Sequence, residues 1–377
     1  MKIVVAPDSF KETLSAAQVA QAIAAGLRQA RSDLEIDLCP MADGGQGTVA
    51  AMVAAMGGRL LSVPVVDALS RPRQAKFGLI ERSDRKIAII EMAQAAGLEL
   101  LAPAHRNPLL TTTFGVGQLI LAALDAGAEE IILGIGGSAT NDGGVGCAQA
   151  LGVVFLDAQS KVIPCGAGGG QLDRIGGIDV QGRDERIGRV PIRVACDVTN
   201  LLTGPKGAAA VFGPQKGATP EMVAQLDAGL ANLAAVIRRD LGLEVENLSG
   251  AGAAGGLGAG LVAFAQARLE RGVQIVAEAV GLARRLAGAD LVITGEGRLD
   301  EQSSAGKTAA GVAKLGRRLG VPAVCICGQC SPAAPRELFR AVYPLVGPDV
   351  TLQDALARPA EYIQIRARQA LTDAQKV

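Results

Sequence analysis

The chain has no tryptophan, two tyrosines and seven phenylalanines among 377 residues, so a nucleic-acid surface built on aromatic stacking has almost no material. Positive charge is not in excess either: 37 lysines and arginines meet 37 aspartates and glutamates, which removes the basic footprint such a surface needs. The one histidine, His105, follows Pro103 and Ala104 in a polar connection and makes a poor general base for a hydrolytic triad. Apolar runs are short. Charges or polar loops interrupt each one before the roughly 18 residues that a membrane helix requires. Of the seven cysteines only Cys325, Cys327 and Cys330 cluster, and no second pair or nearby histidine completes a zinc set, so they read as buried thiols. An odd count without a secretory signal is expected of a soluble protein in a reducing cytoplasm.

What is present is apolar mass and glycine. Hydrophobic residues make up 49% and charged residues 20%, which excludes a disordered chain, and the length suits two domains. The 49 glycines show no collagen period and gather beside Asp, Ser, Thr and Lys, as in loops where a backbone approaches a ligand. The stretch that organises the rest is EIILGIGGSATNDGGVG, from Glu130 to Gly146, a buried strand opening into a glycine-rich polar turn. KIVVAPDSFK at the start and ADLVITGEGRLD at 289–300 repeat the plan, and such bends meet at the carboxyl ends of strands in an open α/β sheet.

Taken in order, residues 3–6 form a strand, and Ser15 caps a helix with Val19, Ile23 and Leu27 on one face. A second strand begins at Ile36 and an alanine-rich helix covers 48–56, completing a crossover unit. Three closely spaced strands at 60–66, 74–80 and 86–91 change the pattern, and strand–helix alternation returns late in the chain. The fold expected is α/β with two domains: a discontinuous parallel-sheet domain formed by 1–60 and 286–377, and a mixed α/β domain, 61–285, inserted between its parts. The glycine-rich 163–177 reads as a flexible connection, 275–286 as one helix, and the strands near 291 and 323 as ending by 294 and 327.

Six carboxylates, Asp8, Asp43, Asp142, Asp197, Glu296 and Asp300, lie at strand exits or in the loops beyond. So many would repel each other unless cations joined them, and Lys11, Lys206, Lys216, Arg298 and Lys307 occupy the same kinds of loop. Arg298, between Gly297 and Leu299, can meet an oxygen pair bidentately. Ser138 sits in GGSAT rather than a nucleophile turn, and GIGGSA lacks the second half of a dinucleotide crossover. Phosphoryl transfer needs this mixture: carboxylate oxygens for magnesium, N–H groups and cations for the moving group, and a base for the acceptor hydroxyl. No Walker lysine loop is present.

The motifs APDSFKETLSA (6–16), MADGGQGT (41–48), TTFGVG (112–117), GIGGSATNDGG (134–144), CDVTN (196–200), FGPQKGA (212–218), GAAGGLGAG (252–260) and TGEGRLDEQSSAGK (294–307) resemble the type I glycerate kinases over nearly the whole chain. The resemblance implies ATP- and Mg2+-dependent phosphorylation of D-glycerate, at the 2-hydroxyl in members similar to this one. It also implies that the discontinuous domain is Rossmann-like, with the active site between the two domains. Carried over by position, the matched loops bring these residues together, and from that placement we infer Asp197 as first choice for the base, with Arg298 and Lys11 on the glycerate carboxylate or the transferred phosphoryl. Asp8, Ser9, Ser138, Asn141 and Asp142 would bind substrate, and Asp43 and Asp300 magnesium. Gly255, Gly256, Gly258, Lys216 and Lys307 would support the nucleotide. No nucleic-acid or membrane partner is implied, and the protein would be a monomer or homodimer. Gln46 stands where the family usually has Glu, which suggests a position that hydrogen-bonds rather than titrates; Leu201 and Ala309 replace common prolines. Competing readings are a kinase for another small polyol acid and a sugar-acid sensor that consumes no ATP.

Overall fold

The computed structural model describes residues 1–10, 13–45, 47–81, 85–301, 303 and 307–374. In chain order the strands are β1 (Lys2–Val5), β2 (Glu35–Leu38), β3 (Arg59–Val66), β4 (Pro72–Glu81), β5 (Lys86–Glu91), β6 (Glu130–Gly134) and β7 (Val154–Asp157). After these come β8 (Ile175–Asp179), β9 (Ile192–Ala195), β10 (Arg268–Glu270), β11 (Leu291–Leu299), β12 (Ala323–Cys330) and β13 (Ala341–Pro344). The chain divides into two compact units, one of 1–43, 50–57 and 271–377, the other of 44–49 and 58–270.

The first unit is a five-stranded sheet, β13-β12-β11-β1-β2, parallel throughout, in the manner of a discontinuous Rossmann fold. Its central strands are apolar on both faces because helices cover both: Ile3, Val4, Val5, Val292 and Ile293 are fully buried. Ser15 closes a capping box with Gln18, so the helix Ala16–Ala30 starts where its apolar face begins and buries Val19, Ile23 and Leu27. The chain rejoins this unit at Arg271, earlier than the 286 read from the sequence. The reason is packing: Arg285 reaches Asp37 at 2.5 Å and the carbonyl of Ala55, and Val273 sits against Gly311. The helix expected over 275–286 is two, Gly272–Ala279 and Leu282–Leu286, separated at Gly281, whose φ is +68°.

β11 runs five residues beyond its apolar core, and GEGRL, expected as loop, pairs with β12 through Arg298↔Gln329 and Leu299↔Cys330. β12 likewise continues to Cys330. The extension holds because Gly295 lets the backbones approach: a Cβ there would lie 2.3 Å from the carbonyl oxygen of Ile326. Cys325 and Cys327 are fully buried on β12, and the Cys325 thiol is pushed well up by its hydrogen bond with the Cys327 thiol and by burial, as inert core thiols are. All seven cysteines are free.

The second unit is a six-stranded mixed sheet, β10-β9-β6-β5-β4-β3, antiparallel from β3 to β5 and parallel beyond, plus the hairpin β7-β8. Part of the expected flexible connection at 163–177 is ordered: a 3-10 turn, Gly169–Arg174, leads into β8, and Asn232 bonds the carbonyls of Leu172 and Ile175. Thr219 and Pro220 start the long helix Pro220–Leu241. Among the described residues no helix is long and apolar enough to cross a membrane.

Candidate active site

In the first unit, the ends of β11 and β12 and the segments that follow β1, β2 and β13 enclose a pocket of about 520 Å³ at the carboxyl ends of the strands. Its polar end is lined by Asp8, Ser9, Asp43, Glu296, Arg298 and Lys307. Asp8 accepts from the Ser9 N–H at 2.6 Å and from the Thr308 hydroxyl at 2.5 Å, which ties the bend after β1 to the start of the helix Thr308–Arg318. Lys307 donates to Asp300 at 3.0 Å, and Arg298 stands 3.8 Å from the same carboxylate. Burial alone would push Asp300 up, but the Lys307 hydrogen bond and charge outweigh it and hold the carboxyl below its usual range. Glu296 behaves differently. Burial pushes it up to about 7, opposed by Lys307 and Ser303, and its Oε1 is buried with no partner among the described residues. In the sequence Glu296 is one carboxylate among six; its place inside β11 is what buries it. Lys11 and Gln46 lie outside the described residues.

In the second unit, the bend after β6 is held by its own polar groups. Asp142 is 1% exposed and accepts from Thr113 N–H at 2.7 Å, the Thr113 hydroxyl at 2.9 Å, and the N–H groups of Gly144 and Gly146, each at 3.2 Å. Burial raises its pKa against those donors. Lys216 is also 1% exposed, its ammonium donating at 2.6 Å to the carbonyl of Thr140. Burial pushes Lys216 down to about 7, with Asp142 opposing. Ser138 is buried on the same bend. The Thr140 hydroxyl and both polar atoms of the Asn141 amide are buried and have no partner among the described residues.

Gly252 precedes, and Gly255, Gly256, Gly258 and Gly260 lie within, a helix, Ala253–Ala265, whose residues 254–256 are left-handed. A Cβ on Gly255 would lie 2.0 Å from the Thr140 carbonyl oxygen, and one on Gly258 would lie 2.4 Å from the Gly250 carbonyl oxygen. Gly256 faces Gly143 in the same way. Asp197 follows β9 by two residues and is exposed. One carboxylate that sequence reasoning passed over, Glu91 at the end of β5, is buried and accepts the Val49 N–H at 2.8 Å, so it caps the helix Thr48–Met56. Its only signal in the sequence was an acid ending an apolar strand.

The Lys216 environment makes a testable statement about stability. Its folded pKa lies below the ordinary 10.5, so the unfolded chain binds more protons between pH 7 and 10. Stability from this group is therefore present at high pH and lost as pH falls through that window, by at most about 1.4 kcal/mol per pH unit. Denaturant melts of the protein and of Lys216→Met across pH 7–10 are expected to differ in slope, the variant being flatter; equal slopes would contradict the buried ammonium.

Residues 3–375 match the glycerate kinase family. The chain belongs to that family. It is 49% identical over 371 residues to the glycerate kinase of Bacillus subtilis, covering 98% of this chain and 96% of that protein. It is also 49% identical to the glycerate 2-kinase of Escherichia coli over 328 residues, 87% of this chain and 85% of that one. A crystal structure described as a glycerate kinase 2 from Salmonella typhimurium superposes with a TM-score of 0.90 at 49% identity, covering all of both chains. Use of ATP and Mg2+ goes with membership of this family. Its motif glycines explain themselves in the structure: in DGGQGT, Gly44 has φ +88° and packs on Ala195, and its carbonyl lies where a Cβ on Gly134 would be.

Proposed function

We propose that this glycerate kinase family member transfers the γ-phosphoryl group of ATP to the 2-hydroxyl of D-glycerate, as a cytoplasmic enzyme of central organic-acid metabolism. The observation that supports it most is the polar end of the first unit's pocket, where carboxylates and cations alternate, in a chain 49% identical to a glycerate 2-kinase. Asp197 takes the hydroxyl proton as the oxygen attacks phosphorus. Arg298 and Lys307 offset charge on the transferring group, and Lys11 is assigned with them. Asp8 and Ser9 orient the reacting groups from the bend after β1.

Asp142 and Lys216 are better placed to position than to bind, because both are buried and bonded within the bend that carries Asn141. Asn141, with Ser138, keeps the part of reading substrate oxygens, since its amide has hydrogen-bonding capacity to spare. Among the described residues no group of three or more metal-ligating side chains forms a cage. That fits magnesium, which is commonly held by one or two carboxylates together with the nucleotide's phosphates. Asp43 on the pocket wall and Asp300, which pairs with Lys307, would hold it. When bound, it would shield the phosphate oxygens and so ease nucleophilic approach.

The test is ADP release over a panel of small hydroxy acids, with the product from D-glycerate passed to enolase, which accepts 2-phosphoglycerate directly. Turnover is expected with D-glycerate and immediate conversion by enolase. No turnover with D-glycerate, or a product that enolase leaves untouched, would defeat the assignment or its regiochemistry. Glycerate binding without ADP release would favour the sensor reading.

A further inference from the structure

The pocket of the first unit has a second half that a three-carbon acid cannot use. Beyond the polar end its wall is apolar: Leu345 and Val346 after β13, Leu352, Ala355 and Leu356 of the helix Leu352–Ala357, and Pro359. Leu352 and Leu356 are 46% and 53% exposed, large apolar side chains left open on the rim of a cavity. D-Glycerate is polar at every carbon and gains nothing from such a wall. A volume of about 520 Å³ is also in the range of sites that enclose a cofactor-sized molecule.

We infer that this apolar wall, residues 345–359, receives the base of a purine nucleoside triphosphate whose phosphates extend to Lys307 and Arg298. The inference rests on the kinase reading above and adds to it the place and orientation of the nucleotide. Topology supports the direction. β1 is flanked by β2 on one side and β11 on the other, so the chain's connections diverge there, and ligands of open α/β sheets lie at that switch point beyond the carboxyl ends. Asp8 and Glu296 mark the switch point, and the apolar wall continues from it past β12 and β13. Lys307 heads an 11-residue helix, whose N-terminal end adds partial positive charge at the phosphate end. The Glu296 oxygen, buried and unpartnered among the described residues, leaves an acceptor at this end for a cation that accompanies the phosphates.

The glycines of the other candidate, 252–260, are accounted for by packing. The side where a Cβ of Gly255, Gly256 or Gly258 would stand is met by the chain's own backbone, and the buried Lys216 donates to Thr140.

Irradiation of the full-length protein with 8-azido-ATP and MgCl2, followed by peptide mapping, is expected to label the 345–359 segment. ATP should suppress the label and D-glycerate should not. Labelling in 252–265, or no ATP-protected label, would overturn the inference. Leu356→Asp is the second test, since a half-exposed rim residue can change without loss of the fold. KM for ATP is expected to rise about tenfold while KM for D-glycerate stays within about twofold. A shift in KM for D-glycerate alone would overturn the orientation. The labelling does not depend on the acceptor: a protein inactive on D-glycerate but labelled at 345–359 would lose the acceptor assignment and keep this site, and an active one labelled elsewhere would lose only the site.

Discussion

Replacing Asp197 by asparagine is expected to lower kcat with D-glycerate by about 10²- to 10⁴-fold, the usual loss when a positioned general base is removed. The amide keeps the shape of the carboxylate and cannot accept a proton. Asp197 is exposed in the loop that follows β9 and asparagine keeps its shape, so the melting midpoint is expected to move by no more than about 2 °C. KM for both substrates should change far less than kcat, since the proton moves only in the transition state. Steady-state kinetics at saturating ATP and D-glycerate, with a far-ultraviolet circular dichroism melt as control, decides the matter. A kcat within about fivefold of the parent would remove Asp197 from the chemistry.

Gly255→Ala is expected to act in the opposite way, on stability before activity. The residue has φ +71°, where a side chain is strained, and its Cβ would stand 2.0 Å from the Thr140 carbonyl oxygen and 2.6 Å from the Asn141 Cα. Both neighbours are backbone, in a bend clamped by Asp142 and Lys216, so neither can step aside as a side-chain tip would. Left-handed strain and overpacking together amount to roughly 2–6 kcal/mol. The melting midpoint should fall by roughly 5–20 °C without any nucleotide present. If Gly255 instead served to let a phosphate approach, the melt would be unchanged and KM for ATP would rise; that pair of results would restore the phosphate-loop role expected from the sequence.

These two sites show how differently local motifs can be spent. DVTN after β9 leaves its carboxylate exposed, where chemistry can reach it. The TNDGG bend and GAAGGLGAG are equally rich in glycine and polar groups, yet they are spent on each other: Gly255 against Thr140 and Asn141, Gly256 against Gly143, and the Gly143 N–H donating at 3.0 Å to the Gly255 carbonyl. A glycine that admits a ligand and a glycine that admits another strand of backbone look alike in one dimension.

From the order of residues alone came the α/β class, the three bends at strand ends, the helix that Ser15 caps, and the family, because periodicity and capping are local and motifs are read letter by letter. The tertiary structure decided which polar groups remain unspent. It buried Glu296 inside an extended β11 and left one oxygen without a partner among the described residues, and it turned Asp142 and Lys216 inward to the bend they support. It also opened an apolar wall at 345–359 that no motif marks. Hydrogen-bond satisfaction and cavity shape depend on contacts between residues hundreds of positions apart, such as Asp8 with Thr308, and no local pattern encodes those distances.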